Sequence, residues 1–288
     1  MDIHLILQAG VNGLLMGGVY ALIAIGLTLI FGVLEIVNFA HGEFVMLGMY
    51  FSYFLFTLLG IDPYLSIFIT IPLLFFLGIS TYKFLIEKVM GARLHIQILL
   101  TLGLMLFLQN LALFIWTSDY RSVKLGYSTT VYNLQGLMVS FPRFVACLVA
   151  LSIAAILYIF LKKTDIGMAI RACTVEKEGA ALVGINVKRI YLVAFGIGIV
   201  CAGVAGSTLL PFFYVSPTVG SIFVLTAFVI VVLGGMGNFA GALLGGLIIG
   251  VAESMGEVFL PGSLKQVVSF TIFILILFFR PMGLMGGR

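Results

Sequence analysis

Apolar positions in this chain come in long, almost unbroken blocks, and polar ones are confined to the stretches between them. An apolar block of about 20 residues, rising about 1.5 Å per residue as helix, crosses the roughly 30 Å hydrocarbon core of a bilayer. Read this way, Val11–Leu34, Phe44–Gly60, Tyr64–Ile86, His95–Trp116 and Phe144–Leu161 are five helical spans. Tyr191–Leu210, Thr218–Leu233, Phe239–Ala252 and Gln266–Phe279 are four more. Polar loops are predicted at Thr117–Pro142, Pro211–Pro217 and Glu253–Lys265, and a tight turn at Asp62-Pro63. The fold class is an all-α polytopic membrane protein with about nine transmembrane or broken-helix segments. Eight stays open, because the interruptions at Glu35–Glu43 and Gly234–Asn238 read equally as re-entrant hairpins.

The longest polar stretch, Lys162–Ile190, holds six of the fifteen Lys and Arg. Within it Thr174 reads as the N-cap of a short helix, with Glu176 and Glu178 in the first turn, where the helix dipole favours anions. Gly184, after Ala180-Ala181-Leu182-Val183, is its natural end. A short helix bracketed by two spans is shaped to dock on a soluble partner. The alternative is a solvated basic loop that only sets topology. Gly179, Ala180 and Ala181 favour docking, since a solvated loop has no need of small residues that permit close approach.

Composition narrows the class further. Of 288 residues 62% are hydrophobic and 9% charged, with a mean hydropathy of +1.26, more apolar surface than a soluble domain of this size can bury. The net charge of +4 belongs to loops between spans and gives no indication of nucleic-acid binding. Cys147, Cys173 and Cys201 are scattered and form no metal or disulfide pattern. The first Lys or Arg is Lys83, so the first apolar run lacks the basic flank of a cleaved signal and is expected to be a retained span. With Lys162–Ile190 inside, Lys83, Lys88, Arg93, Arg280 and Arg288 join its six charges there. Arg121, Lys124, Arg143 and Lys265 remain outside, so the N-terminus is expected outside and the C-terminus in the cytoplasm.

The two interruptions carry the candidate chemistry. Glu35, Asn38, His41, Gly42 and Glu43 lie inside otherwise apolar sequence, as do Gly234, Gly235, Gly237 and Asn238. Charged groups at membrane depth cost several kcal/mol unless paired or wetted, so they tend to line paths. The alternative for Glu35, His41 and Glu43 is the cytoplasmic interface, where charge costs little. Asn38-Phe39-Ala40 and Asn238-Phe239-Ala240 repeat one tripeptide after an apolar block, and paired Gly-interrupted segments point to a translocation path. No phosphate-binding GxxxxGK[ST] motif, HExxH or GxSxG occurs, and the three histidines are far apart, so no catalytic or metal site is expected.

From Tyr20-Ala21-Leu22 through Gly26–Gly32 to Asn38–Glu43 and Leu47-Gly48, the chain resembles the N-terminal block of Liv-type permeases. These are membrane subunits of branched-chain amino acid ABC importers. Gly167–Ala172 with Ala180–Asn186 resembles the family's cytoplasmic segment, and Val232–Asn238 its C-terminal block. The resemblance implies a single permease domain over residues 1–288 in the bacterial inner membrane. It also implies a second homologous permease subunit, two ATPase subunits and an extracytoplasmic substrate-binding protein. This chain would bind no cofactor, with ATP and Mg at the ATPase subunits. Arg171, Glu176, Glu178, Gly179, Ala180, Ala181 and Gly184 would contact an ATPase subunit, although the inserted Gly179 departs from the importers' EAA-and-Gly pattern. The same family moves urea, short amides and some aromatic acids. A self-sufficient secondary transporter or channel, with Glu35 or Glu43 coupling an ion, is the alternative class. Thr117–Pro142 and Pro211–Gly220, with Tyr120, Tyr127, Phe213 and Tyr214, are read as the surface that receives the binding protein, the alternative being the aromatic belt of the membrane interface.

Overall fold

The structure, a computed structural model, describes residues 3–134, 136–261 and 264–286. Helices α1 (Ile3–Leu34), α2 (His41–Leu59), α3 (Pro63–Phe84), α4 (Leu94–Trp116) and α5 (Phe141–Lys163) lead into two short ones, α6 (Asp165–Val175) and α7 (Lys177–Leu182). Then come α8 (Val187–Leu209), α9 (Val219–Gly234), α10 (Phe239–Phe259) and α11 (Lys265–Phe279). Before α5, β1 (Val131–Leu134) and β2 (Leu137–Ser140) form an antiparallel hairpin that pairs Val131 with Ser140 and Leu134 with Leu137. Among the described residues seven helices are long and apolar enough to cross a membrane, and α9 and α11 are shorter apolar ones. These nine match the nine apolar blocks, and the chain is an all-α multi-pass membrane protein apart from the hairpin.

Contacts define two ends of the bundle. At the hairpin end the Gln8 amide of α1 donates to the Met138 carbonyl and accepts from the Met138 N–H, each at 2.7 Å. At the other end, beside α6 and α7, Lys177 Nζ lies 2.6 Å from Glu35 Oε2 and Lys188 Nζ 3.7 Å from Glu87 Oε1. Helix α1 runs between these ends at the centre of the molecule. It is apolar on every side, as a helix enclosed by others must be. Its closest neighbour is α10, and glycine lets the two backbones touch. A Cβ at Gly17 would sit 2.9 Å from the Gly246 carbonyl oxygen and the Leu247 Cα.

Several boundaries differ from the sequence reading. Helix α1 begins at Ile3 rather than Val11, and α2 at His41 rather than Phe44, which puts His41, Gly42 and Glu43 inside a helix. Glu253 does not open a loop: α10 continues to Phe259, and the Ser269 hydroxyl of α11 donates to Glu253 Oε1 at 2.6 Å. A buried acceptor with a donor across the helix pair can remain helical where an unpaired one would favour the surface. Thr117–Pro142 is not wholly loop, since it contains the hairpin, and Arg121 bridges back to Val215.

The Lys162–Ile190 stretch holds two helices instead of one. Thr164, not Thr174, caps the first: its hydroxyl accepts the Gly167 N–H at 3.0 Å. Thr174 lies in the last turn of α6 and donates to the Ile170 carbonyl at 3.0 Å. Glu176 is the cap of α7 and accepts the Glu178 N–H at 3.3 Å. Gly184 ends that helix in a left-handed conformation (φ +88°), with its N–H bonded to the Ala181 carbonyl. Arg288, counted above with the cytoplasmic charges, lies outside the described residues.

Candidate functional site

Two helices begin inside the bundle rather than at its ends. After Leu34 the chain turns back through the non-helical Glu35–Ala40 segment, whose Val37 carbonyl accepts the Thr101 hydroxyl of α4 at 2.9 Å. Helix α2 then starts at His41, whose Nε2 is 3.0 Å from the Ile23 carbonyl oxygen. Ile23 lies three helical turns from the end of α1, about 16 Å into the bundle. Helix α9 is 16 residues long, about 24 Å, too short for the full core. Its first turn meets that of α2. A Cβ at Gly42 would collide with the Gly220 carbonyl oxygen, and one at Gly220 would lie 2.8 Å from Glu43 Oε2.

The polar residues of the first break are buried at this junction. Asn38, His41 and Glu43 are fully enclosed. Neither amide atom of Asn38, neither carboxyl oxygen of Glu43, nor His41 Nδ1 has a hydrogen-bond partner among the described residues. Glu35 stands apart: it is exposed and paired with Lys177, and its left-handed backbone (φ +58°) turns the chain away from α1. Of the group read together in the sequence, Glu35 is therefore at the α6–α7 end, and Asn38, His41, Gly42 and Glu43 are inside.

The second break is tight, and its asparagine side chain is bonded at both ends. Gly235 (φ +97°) and Gly237 (φ +84°) make the turn. Asn238 caps α10 by accepting the Gly241 N–H at 2.9 Å, and its amide donates to the Met285 carbonyl at 2.8 Å. Gly234 packs on Gly241. Glu35, Gly237 and Asn238 line one cavity of about 460 Å³ at the α6–α7 end, together with Thr174 and Met282. The two breaks thus share that cavity through Glu35, whereas Asn38 does not line it.

At the hairpin end a smaller cavity, about 80 Å³, is lined by Asn12, Met16 and Tyr20 of α1, Arg143 of α5 and Glu253, Ser254 and Glu257 of α10, with Phe212 and Phe213 alongside. The sequence reading placed Asn12, Met16 and Tyr20 in the first span and Glu253, Ser254 and Glu257 in a loop. The signal was present in the spacing, since Glu253 and Glu257 are four apart in a Gly-rich run that continues the helix from Phe239. The two loops read as a docking surface do meet. Arg121 and Val215 exchange backbone bonds at 2.9 and 2.8 Å, and the Tyr120 and Tyr214 rings pack edge to face at 4.9 Å. Tyr127 donates to Asp62 Oδ2 at 2.6 Å, and burial followed by this bond holds its phenol above the ordinary tyrosine range.

At the opposite end α7 projects from the bundle. Val175, Leu182 and Val183 are 86%, 88% and 78% exposed, and Ala181 is exposed beside them. Ala180 is buried, and Gly179 sits against the Glu176 side chain. Arg171 and Glu178 are exposed, and an Arg171 guanidinium nitrogen lies 3.5 Å from the Lys162 carbonyl.

Broken helices that meet inside an apolar bundle, with enclosed polar groups at the junction, are the architecture of a membrane transporter. The sequence matches the family described as branched-chain amino acid transport system / permease component over residues 10–277, and the chain belongs to that family. It is similar to the high-affinity branched-chain amino acid transport system permease protein BraD of Pseudomonas aeruginosa, at 33% identity covering 99% of this chain and 97% of the relative. It is also similar to LivH of Salmonella typhimurium, at 34% identity with 97% and 95% covered. A probable LivH of Methanocaldococcus jannaschii is 30% identical, with 92% and 88% covered. No solved structure matches the chain.

Proposed function

We propose that this chain is the membrane permease subunit of an ATP-driven importer of branched-chain amino acids, in the plasma membrane of a prokaryote. A second permease subunit completes the path, two ATPase subunits drive it, and an extracytoplasmic binding protein delivers the substrate. Full-length similarity to branched-chain amino acid permeases supports the substrate class. The α6–α7 end faces the cytoplasm, and the concentration of Lys and Arg there supports that orientation.

The observation that carries the mechanism is the exposed apolar tip of α7. Leu182 and Val183 project into water with Ala181 beside them, and an apolar tip next to charged Glu178 and Arg171 marks a protein contact. Seated in a groove of an ATPase subunit, α7 passes that subunit's movement to α6 and α8. Through Lys177 and Glu35 it also passes the movement to the first break, where α2 begins. The joined Tyr120–Tyr214 loop surface at the other end receives the binding protein. Small and apolar walls between the two suit the transit of a zwitterion with an apolar side chain.

Reconstitution with the partner subunits and binding protein tests this reading. Ala181→Trp is expected to lower ATPase association or uncouple hydrolysis from leucine uptake by at least tenfold, about 1.4 kcal/mol of coupling, while the chain remains folded. Normal assembly and normal uptake in that variant would refute the seating of α7.

A further inference from the structure

Beside the cavity lined by Glu35 lies another of about 450 Å³, walled by Ile25 and Leu29 of α1, Leu161 of α5, Ile170 and Val175 of α6 and Phe239 of α10. The two cavities share Thr174 and Gly237. The apolar wall reaches far in: Ile25 lies two and a half turns before the end of α1, about 14 Å into the bundle. At the α6–α7 end the lining changes character, with Lys162 and Arg171 both exposed there. Among the described residues no carboxylate lines this cavity, and neither cation is in an ion pair. The Lys162 ammonium lies 5.7 Å from the Tyr158 ring centroid, and the Arg171 guanidinium reaches toward the Lys162 carbonyl. Two cations on one cavity repel each other, and a phosphate set against both replaces that repulsion with charge-assisted hydrogen bonds.

A groove on another face shows what is particular here. Along α4 a cavity of about 590 Å³ is lined by Leu85, Val89, Leu99, Leu104 and Phe107 with other uncharged residues, and any acyl chain suits it. The cavity beside α6 adds two cations at the boundary of the bundle, where the polar heads of lipids lie. A free phosphate would use the cations and leave the apolar wall bare. A soluble protein segment would have to leave water and reach past Leu161 to cover Ile25. An anionic phospholipid uses both parts, with its chain along the wall and its phosphate at the boundary. Basic pockets between membrane helices are suited to such headgroups.

We propose that this cavity binds one anionic phospholipid, an acyl chain lying against Ile25, Leu29 and Phe239 and the phosphate between Lys162 and Arg171. The site goes beyond the import function proposed above and holds whatever the chain transports. The bound lipid joins the end of α5 to α6. It also touches the start of α10 just past the second break, since Tyr158, beneath Lys162, packs on Phe239 at 5.8 Å between ring centroids. Selectivity is for the charge of the headgroup.

The test uses the full chain, with any subunits that copurify, in phosphatidylcholine nanodiscs holding a trace of phosphatidylglycerol with a photoreactive acyl chain. Label is expected on residues 25–29 and 158–175, displaced by unlabelled phosphatidylglycerol. Glycerol phosphate, which has the anionic head without the chains, should not displace it. Lys162→Gln and Arg171→Gln should each weaken labelling about fivefold, whereas Lys83→Gln, on α3 at the same end but away from the cavity, should not. Equal labelling by photoreactive phosphatidylcholine overturns the site, because its cations would then select nothing. An equal loss in Lys83→Gln overturns it in favour of a general surface potential. Displacement by glycerol phosphate would leave an anion site without a lipid, and label absent from these helices would leave the groove to another subunit. Either result overturns the proposal, and none of them bears on leucine uptake, which is measured separately.

Discussion

The two breaks carry the same tripeptide and do opposite things with it. At the second, Asn238 caps a helix and ties it to the C-terminal segment, so both ends of its amide are bonded. At the first, the cap position of α2 is Ala40, and Asn38 is buried with neither end of its amide bonded within the described residues. Each adjoining phenylalanine packs on a ring, Phe39 on Phe228 and Phe239 on Tyr158. The aromatic anchor is common to both, and the polar partnership is not. A break whose asparagine is bonded at both ends is a fixed corner. One that encloses unbonded groups keeps interactions in reserve for another state or for a passing ligand.

The largest effect expected from breaking this contrast is at Gly42. Valine there would drive a side chain into the Gly220 backbone and onto Val224, for a loss of about 3 kcal/mol. Gly237→Ala at the other break meets no atom closer than 3.4 Å and carries only the left-handed penalty of about 1–2 kcal/mol. Unfolding of the purified chain in detergent would rank the two, and a Gly42→Val protein as stable as the parent would contradict the close α2–α9 junction.

The asparagines should differ in sign. Asn238→Ala is expected to lose about 1–2 kcal/mol as a cap is removed. Asn38→Leu should be neutral or stabilising by about 1 kcal/mol, because it removes an unbonded polar group from the interior. Transport by Asn38→Leu should nonetheless fall, and an unaltered uptake rate in that stable variant would remove Asn38 from the path. Cysteines at the two positions sharpen the point. Asn238→Cys, at a cavity, should label in the resting state, and Asn38→Cys only when nucleotide is bound. Inaccessibility of both in every state would exclude the breaks from the path.

The smallest effect belongs to Glu35→Gln. Its half-exposed pair with Lys177 is worth about 0–1 kcal/mol in stability. Its role is in coupling, so the ratio of leucine imported to ATP hydrolysed should drop while the melting temperature stays put. An unchanged ratio would mean that α7 reaches the first break by another route.

Span number was legible because a bilayer-length apolar run states its own requirement. Gly235 and Gly237 announced the second corner for the same kind of local reason: only glycine turns there without strain. What escaped notice depended on partners far away in sequence. Glu253 looked like the end of a span because its donors lie on α1 and α11. His41 could be read equally as a path or an interface residue, because the Ile23 carbonyl that receives it belongs to the preceding helix. Thr164 was a local signal that went unused: Thr164-Asp165 beside Gly167 is a cap followed by an acidic first turn, overshadowed by the preceding Lys162-Lys163 pair.

The glycine-lined contact between α1 and α10 also bears on how the chain is built. Gly13 and Gly17 are made well before their partners Gly250 and Gly246, which emerge more than two hundred residues later. At about 5–20 residues per second that delay is roughly 10–40 s. Through this interval α1 must reside alone in lipid, which its predominantly apolar, uncharged circumference beyond the first turns permits and a charged or half-polar helix would not. The helix that ends at the molecule's centre is thus the one best able to wait outside it. Its bare glycine face keeps the place of α10 open until the ribosome delivers it.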